Sequence, residues 1–163
     1  MIKVENIRKK YGDLEVLRGV NFSIDKGEIV SIVGASGAGK TTLLQILGTL
    51  DQAVEGIISF EDKDISALKR NDLSKFRNEN IGFVFQSHNL FPHLTIQENI
   101  TLILEKTRNI SHDEAVQTAQ KVLTKLGLSE SMDKLPRYVS GGQSQRASIA
   151  RSLAINPDII FLD

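Results

Sequence analysis

The chain has no cysteine among its 163 residues, which excludes disulfides, thiolate metal sites and cysteine nucleophiles together and fits a reducing compartment. Any metal is held by oxygen. Charge of one sign is missing as well: 20 Lys and Arg stand against 20 Asp and Glu, with no long run of either. A generic electrostatic hold on nucleic acid or acidic lipid is disfavoured, and no nucleic-acid partner is expected. Also missing is any apolar run near the ~20 residues that span a bilayer. Met1-Ile2-Lys3-Val4-Glu5 is not the charged start of a secretory signal, so the expected location is the cytoplasm. No internal repeat or low-complexity tract is found. What is there is an ordinary globular composition, 40% hydrophobic and 25% charged. The length suits one domain at about 100 to 200 residues each.

Val20, Phe22 and Ile24 alternate with polar neighbours, the pattern of a half-buried antiparallel strand, and Asp25-Lys26-Gly27 marks a turn, so a hairpin is expected there. Ile29-Val30-Ser31-Ile32-Val33 is nearly all apolar and β-branched, which predicts a strand covered on both faces in a parallel sheet. It runs into Gly34. From Lys40 the residues Leu43, Leu44, Ile46 and Leu47 follow helical spacing, with Gly48 as a stop. Gly56 to Phe60 and Ile81 to Phe85 read as further strands, separated by a charged stretch, Lys69 to Arg77, that suits a solvated helix or loop. Ser111-His112-Asp113-Glu114 has the form of a capping box opening an amphipathic helix that Gly127 closes. Val139-Ser140-Gly141-Gly142 precedes another helical pattern, stopped by Asn156-Pro157. Ile159-Ile160-Phe161-Leu162 is a buried-strand run ending at Asp163. The expected fold class is therefore α/β with a mixed sheet: a sheet core over 1–86 and 156–163, and a mainly helical subdomain over 87–155.

Between the Ile29–Val33 run and the Lys40 helix lies Gly34-Ala35-Ser36-Gly37-Ala38-Gly39-Lys40-Thr41. This is glycine, four residues, then glycine, lysine and a hydroxyl residue, in the strand-to-helix setting the pattern requires. Glycines let backbone N–H groups turn inward round an anion, the helix N-terminus adds partial positive charge, and Lys40 neutralises outer phosphate oxygens. Gly34, Ser36, Gly37, Gly39, Lys40, Thr41 and Thr42 are thus candidate nucleotide-phosphate contacts, and the Thr41 hydroxyl can reach a Mg²⁺ ion. Asp163 ends a hydrophobic strand at the edge where ligands bind in open α/β sheets, a place from which its carboxylate could serve the same ion. Four apolar residues and an Asp are also an ordinary strand end. Ser140 can cap the helix it precedes, and the following glycines allow close backbone approach, so Ser140, Gly141, Gly142 and Gln143 form a second candidate anion site.

Ser140-Gly141-Gly142-Gln143, some hundred residues after the phosphate loop, resembles the signature motif of ABC-type ATPases, and Asn156 to Asp163 resembles the segment that follows it there. Gln86 stands where that family has its Q-loop glutamine and Tyr11 where it has the aromatic that stacks on adenine. Five motifs in family order cover the chain. The resemblance implies a P-loop NTPase fold of the ABC nucleotide-binding type, with ATP and Mg²⁺ as ligands. Lys40 and Gln86 would be catalytic, Thr41, Gln86 and Asp163 would serve the metal, and Tyr11 would take the base. It further implies a head-to-tail dimer with a second ATP-binding subunit, in which Ser140, Gly142 and Gln143 of one copy grip the γ-phosphate held by Gly39, Lys40 and Thr41 of the other. Membrane permease subunits are the expected partners, with the chain peripheral on the inner face of the cell membrane.

Some features depart from the family pattern. Val139 replaces the leucine most common at the start of the signature, a change expected to touch packing alone. The family has a glutamate after Asp163, the general base for the attacking water, and later a switch histidine. Neither stands in these 163 residues, so a C-terminally incomplete cassette with poor hydrolysis by itself is the expectation. His88, His93 and His112 are expected at the solvated surface. Gly34 to Asp51 resembles lipoprotein-releasing and related export ATPases, whereas Asn89 to Asn99 resembles polar amino acid importers, and the transported substrate stays open between them. Leu90, Phe91 and Leu94 fit either a groove for a helix of the membrane subunit or the core of the helical subdomain. Two alternative functions also stand: a soluble ABC ATPase acting mechanically on nucleic acid or the ribosome, and a nucleotide-binding fragment inactive in hydrolysis.

Overall fold

A computed structural model describes residues 1–163, which part into two compact units, Met1–Lys75 and Phe76–Asp163. This division differs from the sequence-based one, because the strands near residues 81 and 159 pair with each other and group with the helices.

The first unit is built on an antiparallel sheet. β1 (Ile2–Tyr11) and β2 (Leu14–Ile24) form a hairpin through Gly12 and Asp13, with register Val4 to Phe22 and Tyr11 to Leu14. β3 (Glu55–Phe60) pairs with the other edge of β1, and the two-residue β4 (Lys63–Asp64) with β3, giving the order β2-β1-β3-β4. Alternation places Ile2, Val4, Ile58 and Phe60 in the interior, as period-two patterning requires. Gly56, at φ +108°, lies where a Cβ would come within 2.6 Å of the Asn6 carbonyl, so only glycine lets β3 approach β1 this closely. α1 (Lys40–Leu47) buries Leu43, Ile46 and Leu47 and ends at Gly48.

Two expectations fail here. The hairpin involving Val20–Ile24 is made with β1 ahead of it, not with residues after the Asp25 turn. Ile29–Val33 is no strand: it carries no ladder, and Ile29 is 96% and Val33 87% exposed. The composition suits a doubly covered strand, but a strand exists only where a neighbour completes its hydrogen bonds. None of the six strands pairs with this segment.

The second unit holds three helices and a parallel strand pair. α2 (Arg70–Asn80) straddles the division between the units. β5 (Ile81–Val84) pairs in parallel with β6 (Ile159–Leu162), Ile81 opposite Ile159 and Val84 opposite Leu162. α3 (Glu98–Arg108), α4 (His112–Lys125) and α5 (Gly141–Ala154) meet around Ile96, Ile100, Leu104, Ala115, Ala119, Leu123, Leu128, Ala147 and Ala150. The alanines of α4 and α5 let these helices approach, while the branched residues fill the space between them. The Ser111 box forms as the sequence predicts: its hydroxyl accepts from the Glu114 amide, and the Glu114 carboxylate accepts from the Ser111 amide. Val139 packs against this core.

Candidate functional site

The glycine-rich loop 34–41 lies in the first unit. Gly39 caps α1 in the left-handed conformation at φ 90°, and a Cβ there would stand 2.8 Å from Val16 Cγ1 and 3.0 Å from Leu17 Cδ2. Glycine is demanded twice, by conformation and by contact with β2. Gly37 is also left-handed, at φ 77°. Ahead of the helix the loop is closed by the Ala38 amide donating to the Ala35 carbonyl, and the first bond back from the helix is Leu43 N–H to the Gly39 carbonyl, 2.8 Å. The amides of Gly39, Lys40 and Thr42 bond to no backbone carbonyl, which leaves them for an anion at a helix N-terminus. Lys40 folds back over the loop, Nζ donating to the Gly34 carbonyl at 2.9 Å and the Ala35 carbonyl at 2.7 Å. A cation resting on two carbonyls exchanges them readily for phosphate oxygens, which are stronger acceptors. Ser36 and Thr41 are exposed in this stretch.

Tyr11 ends β1 in the same unit, about half exposed. Its hydroxyl donates to Asp51 Oδ2 at 2.8 Å. The sequence reading overlooked Asp51 and Lys9, whose ammonium donates to Asp51 Oδ1 at 2.7 Å and lies 5.0 Å from the Tyr11 ring centre. A lysine in an otherwise alternating strand was the available signal, but its partner stands 42 positions on.

Gln86, Asp163 and the signature belong to the second unit. Val84 pairs with Leu162, and the Asp163 amide donates back to the Val84 carbonyl at 3.0 Å. Gln86 and Asp163 thus leave the same edge of two adjacent parallel strands, both exposed. Arg151 of α5 holds the segment after Gln86, donating to the Asn89 carbonyl at 2.8 Å and the His88 carbonyl at 3.1 Å. The signature opens α5 as a capping box: the Gln143 amide donates to Ser140 Oγ, and Gln143 Oε1 accepts from the Ser140 amide at 2.8 Å. Gln143 Nε2 also reaches Ser131 Oγ at 3.2 Å. Ser140, Gly141 and Gly142 are exposed at the helix start, and nothing stands within 4 Å of a Cβ built on Gly141.

The family described as ABC transporter matches residues 17–163. The chain belongs to the ABC transporter family. Among curated relatives, the lipoprotein-releasing system ATP-binding protein LolD of Bacteroides thetaiotaomicron is 47% identical, the match covering 100% of this chain and 74% of LolD. The arginine transport ATP-binding protein ArtM of Bacillus subtilis is 44% identical over 100% of this chain and 67% of ArtM. Among solved structures, the ATP-binding cassette MJ0796, in a dimeric post-hydrolysis state bound to ADP and Pi, superposes with a TM-score of 0.93 at 40% identity, covering 100% of this chain and 73% of that one. This ABC cassette is the ATP-binding and ATP-hydrolysing subunit of a transporter. ABC subunits of this kind bind nucleotide, dimerise and work with membrane permeases. No helix of the cassette is long and apolar enough to cross a membrane.

The three histidines divide. His93 and His112 are exposed, the latter paired with Glu105 at 2.6 Å, whereas His88 is half-buried with Nδ1 shielded from solvent. It sits at φ 61° in the turn that Arg151 holds. Leu90 packs on the helical core while Phe91 is 37% exposed beside His93, so the two readings of the 90–94 stretch hold for different side chains.

Proposed function

We propose that Gly34, Ser36, Gly37, Gly39, Lys40, Thr41 and Thr42 hold the triphosphate of ATP, that Tyr11 carries the base, and that Ser140, Gly141, Gly142 and Gln143 engage the γ-phosphate of a second, head-to-tail copy. The observation that supports this most is the Lys40 ammonium resting on the Gly34 and Ala35 carbonyls of a loop whose Gly39, Lys40 and Thr42 amides bond to no backbone carbonyl. Phosphoryl transfer asks the protein chiefly for positioning and for charge at the equatorial oxygens, and this loop supplies both. A Mg²⁺ ion fits the donors present. No cluster of three acidic or histidine side chains exists, and Mg²⁺ uses one or two protein oxygens together with substrate phosphates and water. The Thr41 hydroxyl in the first unit and the Gln86 and Asp163 oxygens in the second are the hard donors proposed for it, and when bound it would offset negative charge on the phosphates. Gln86 leaves the sheet edge beside Asp163, a place from which its amide orients the attacking water.

Permease subunits are the partners this reading supports, with the cassette on the inner face of the cell membrane and the exposed Phe91 region as a contact. Cargo is chosen by those membrane subunits. Lipoprotein release and arginine transport, the functions named in the two relatives, are therefore both compatible with these residues.

Replacing Lys40 by alanine tests the assignment. The triphosphate then loses its main counter-charge while the amide cradle stays, so ATP affinity measured by calorimetry falls by at least about tenfold. Equal affinity in variant and parent would remove the phosphate loop from the mechanism.

A further inference from the structure

One carboxylate joins the end of β1 to the end of the phosphate-loop helix. Asp51 accepts from Tyr11 Oη at 2.8 Å, from Lys9 Nζ at 2.7 Å and from the Gln52 amide at 2.7 Å. Its own amide, with that of Leu50, bonds to the carbonyl of Gln45 inside α1. Lys9 is 9% exposed and gives a further bond to the Gln52 carbonyl at 2.7 Å. A buried ammonium and a carboxylate so placed satisfy each other and cannot be moved cheaply. The helix that begins at Lys40 thus ends, seven residues later at Leu47, in a turn that holds the hydroxyl of Tyr11. No other side chain hydrogen bond to Tyr11 exists.

A tyrosine at a strand end turns freely about two side-chain torsions, and a base stacks only on a ring held in one plane. Pinning the hydroxyl removes that freedom before the ligand arrives, and preorganisation of this sort appears directly as affinity. The Lys9 ammonium at 5.0 Å from the ring centre limits the ring from one side by cation–π attraction. About half of the residue remains in solvent, enough for a flat heterocycle to lie on it.

We infer that Asp51, braced by Lys9, is a positioning residue for nucleotide: it fixes the Tyr11 ring as the base platform and ties that platform to the far end of the phosphate-loop helix. The inference rests on the reading of Tyr11 as the base-stacking residue. It places base recognition under the control of a residue that touches no part of the ligand.

The test compares the dissociation constants of ATP and of inorganic tripolyphosphate by calorimetry on the full chain. Their ratio isolates the contribution of the base and sugar from that of the phosphate loop. Base stacking on an aromatic residue is worth about 5- to 150-fold in affinity. Tyr11→Phe keeps the ring, removes only an exposed hydroxyl and leaves the fold in place. It is expected to cut the ratio by about 3- to 10-fold, the net worth of one ordinary solvent-exposed hydrogen bond, with tripolyphosphate affinity unchanged. Asp51→Ala should do the same, and the double variant should be no worse than the poorer single one, since both remove one interaction. Were Tyr11→Ala to lower the ratio while Tyr11→Phe and Asp51→Ala left it alone, the positioning role would be refuted and the platform kept. An unchanged ratio in Tyr11→Ala would discard the platform itself. Equal losses for ATP and tripolyphosphate would mark Asp51 as merely supporting the fold of α1, and would also overturn the inference.

Discussion

Asn99 shows at the scale of one residue how a loop is held without regular structure. It is wholly buried, and its side chain closes the stretch from Phe91 to Thr95. Oδ1 accepts from the Phe91 amide at 2.7 Å, and Nδ2 donates to the carbonyls of Phe91, Leu94 and Thr95 at 2.9 to 3.1 Å. A buried amide group that lost such a partner would carry its desolvation penalty, about 1–3 kcal/mol for each group left unpaired. Asn99→Ala is therefore expected to destabilise the chain by at least about 2 kcal/mol, read as a lower urea midpoint, since more than one group is orphaned. Asn99→Asp should cost a similar amount, because an ionised carboxylate cannot donate to the three carbonyls. A midpoint unmoved by either substitution would show that the loop is held by other means. The same stretch carries the exposed Phe91, so its shape bears on the surface proposed above as a permease contact.

At the scale of the element, α5 packs with one part of its length and leaves another, the part proposed to meet ligand, exposed. Ala147 and Ala150 lie in the core, while the first turn, opened by Ser140, is exposed and already capped by its own side chains. The box satisfies the orphan donors of Ser140 and Gln143 in the free protein. On the head-to-tail reading proposed above, a phosphate from a second copy would meet a helix end that is formed in advance. Ser140→Arg is expected to leave ATP binding by the single copy unchanged and to abolish the ATP-dependent dimer, read by gel filtration with and without nucleotide. Ser140→Ala serves as the control: it removes the cap, at about 0.5–2 kcal/mol of stability, yet leaves the space open. If Ser140→Arg weakened nucleotide binding in the monomer, the signature would belong to the chain's own site and the head-to-tail reading would fail.

At the scale of the whole molecule, three carboxylates tie stability to pH. For Asp51, burial pushes the pKa up, but bonds from Lys9, Tyr11 and the Gln52 amide, with the charge of Lys9, outweigh it and leave the carboxyl below its ordinary value. Glu98 and Glu114 are lowered by the amides of Thr95 and Ser111 first and then by those residues' hydroxyls, against slight burial. A pKa lower in the folded than in the unfolded chain gives stability that is complete above the unfolded value and is lost as pH falls through the folded one. The urea midpoint should accordingly stay nearly level between about pH 7 and 5 and drop below about pH 4, where unfolded carboxylates take up protons. A midpoint that rose on acidification would contradict all three assignments. Asp51→Ala should flatten part of the drop, joining this measurement to the nucleotide test.

The local features were legible from the chain alone because their causes are local. Ser111 and Glu114, or Ser140 and Gln143, need only three residues between them to satisfy a helix end, and the glycines of 34–39 carry the loop's shape in their own backbone freedom. Family order of the motifs was likewise readable, and with it the ABC fold and ATPase function. What sequence could not supply was pairing. Ile29–Val33 has the composition of a buried strand, yet it stands exposed and without a ladder, since burial and hydrogen bonding belong to a strand's neighbours and not to its residues. The partner of Val20–Ile24 proved to be the strand before it rather than the segment after it. Asp51 stands 42 positions from Lys9 and 40 from Tyr11, and only the folding of β1 against the end of α1 makes the three one network.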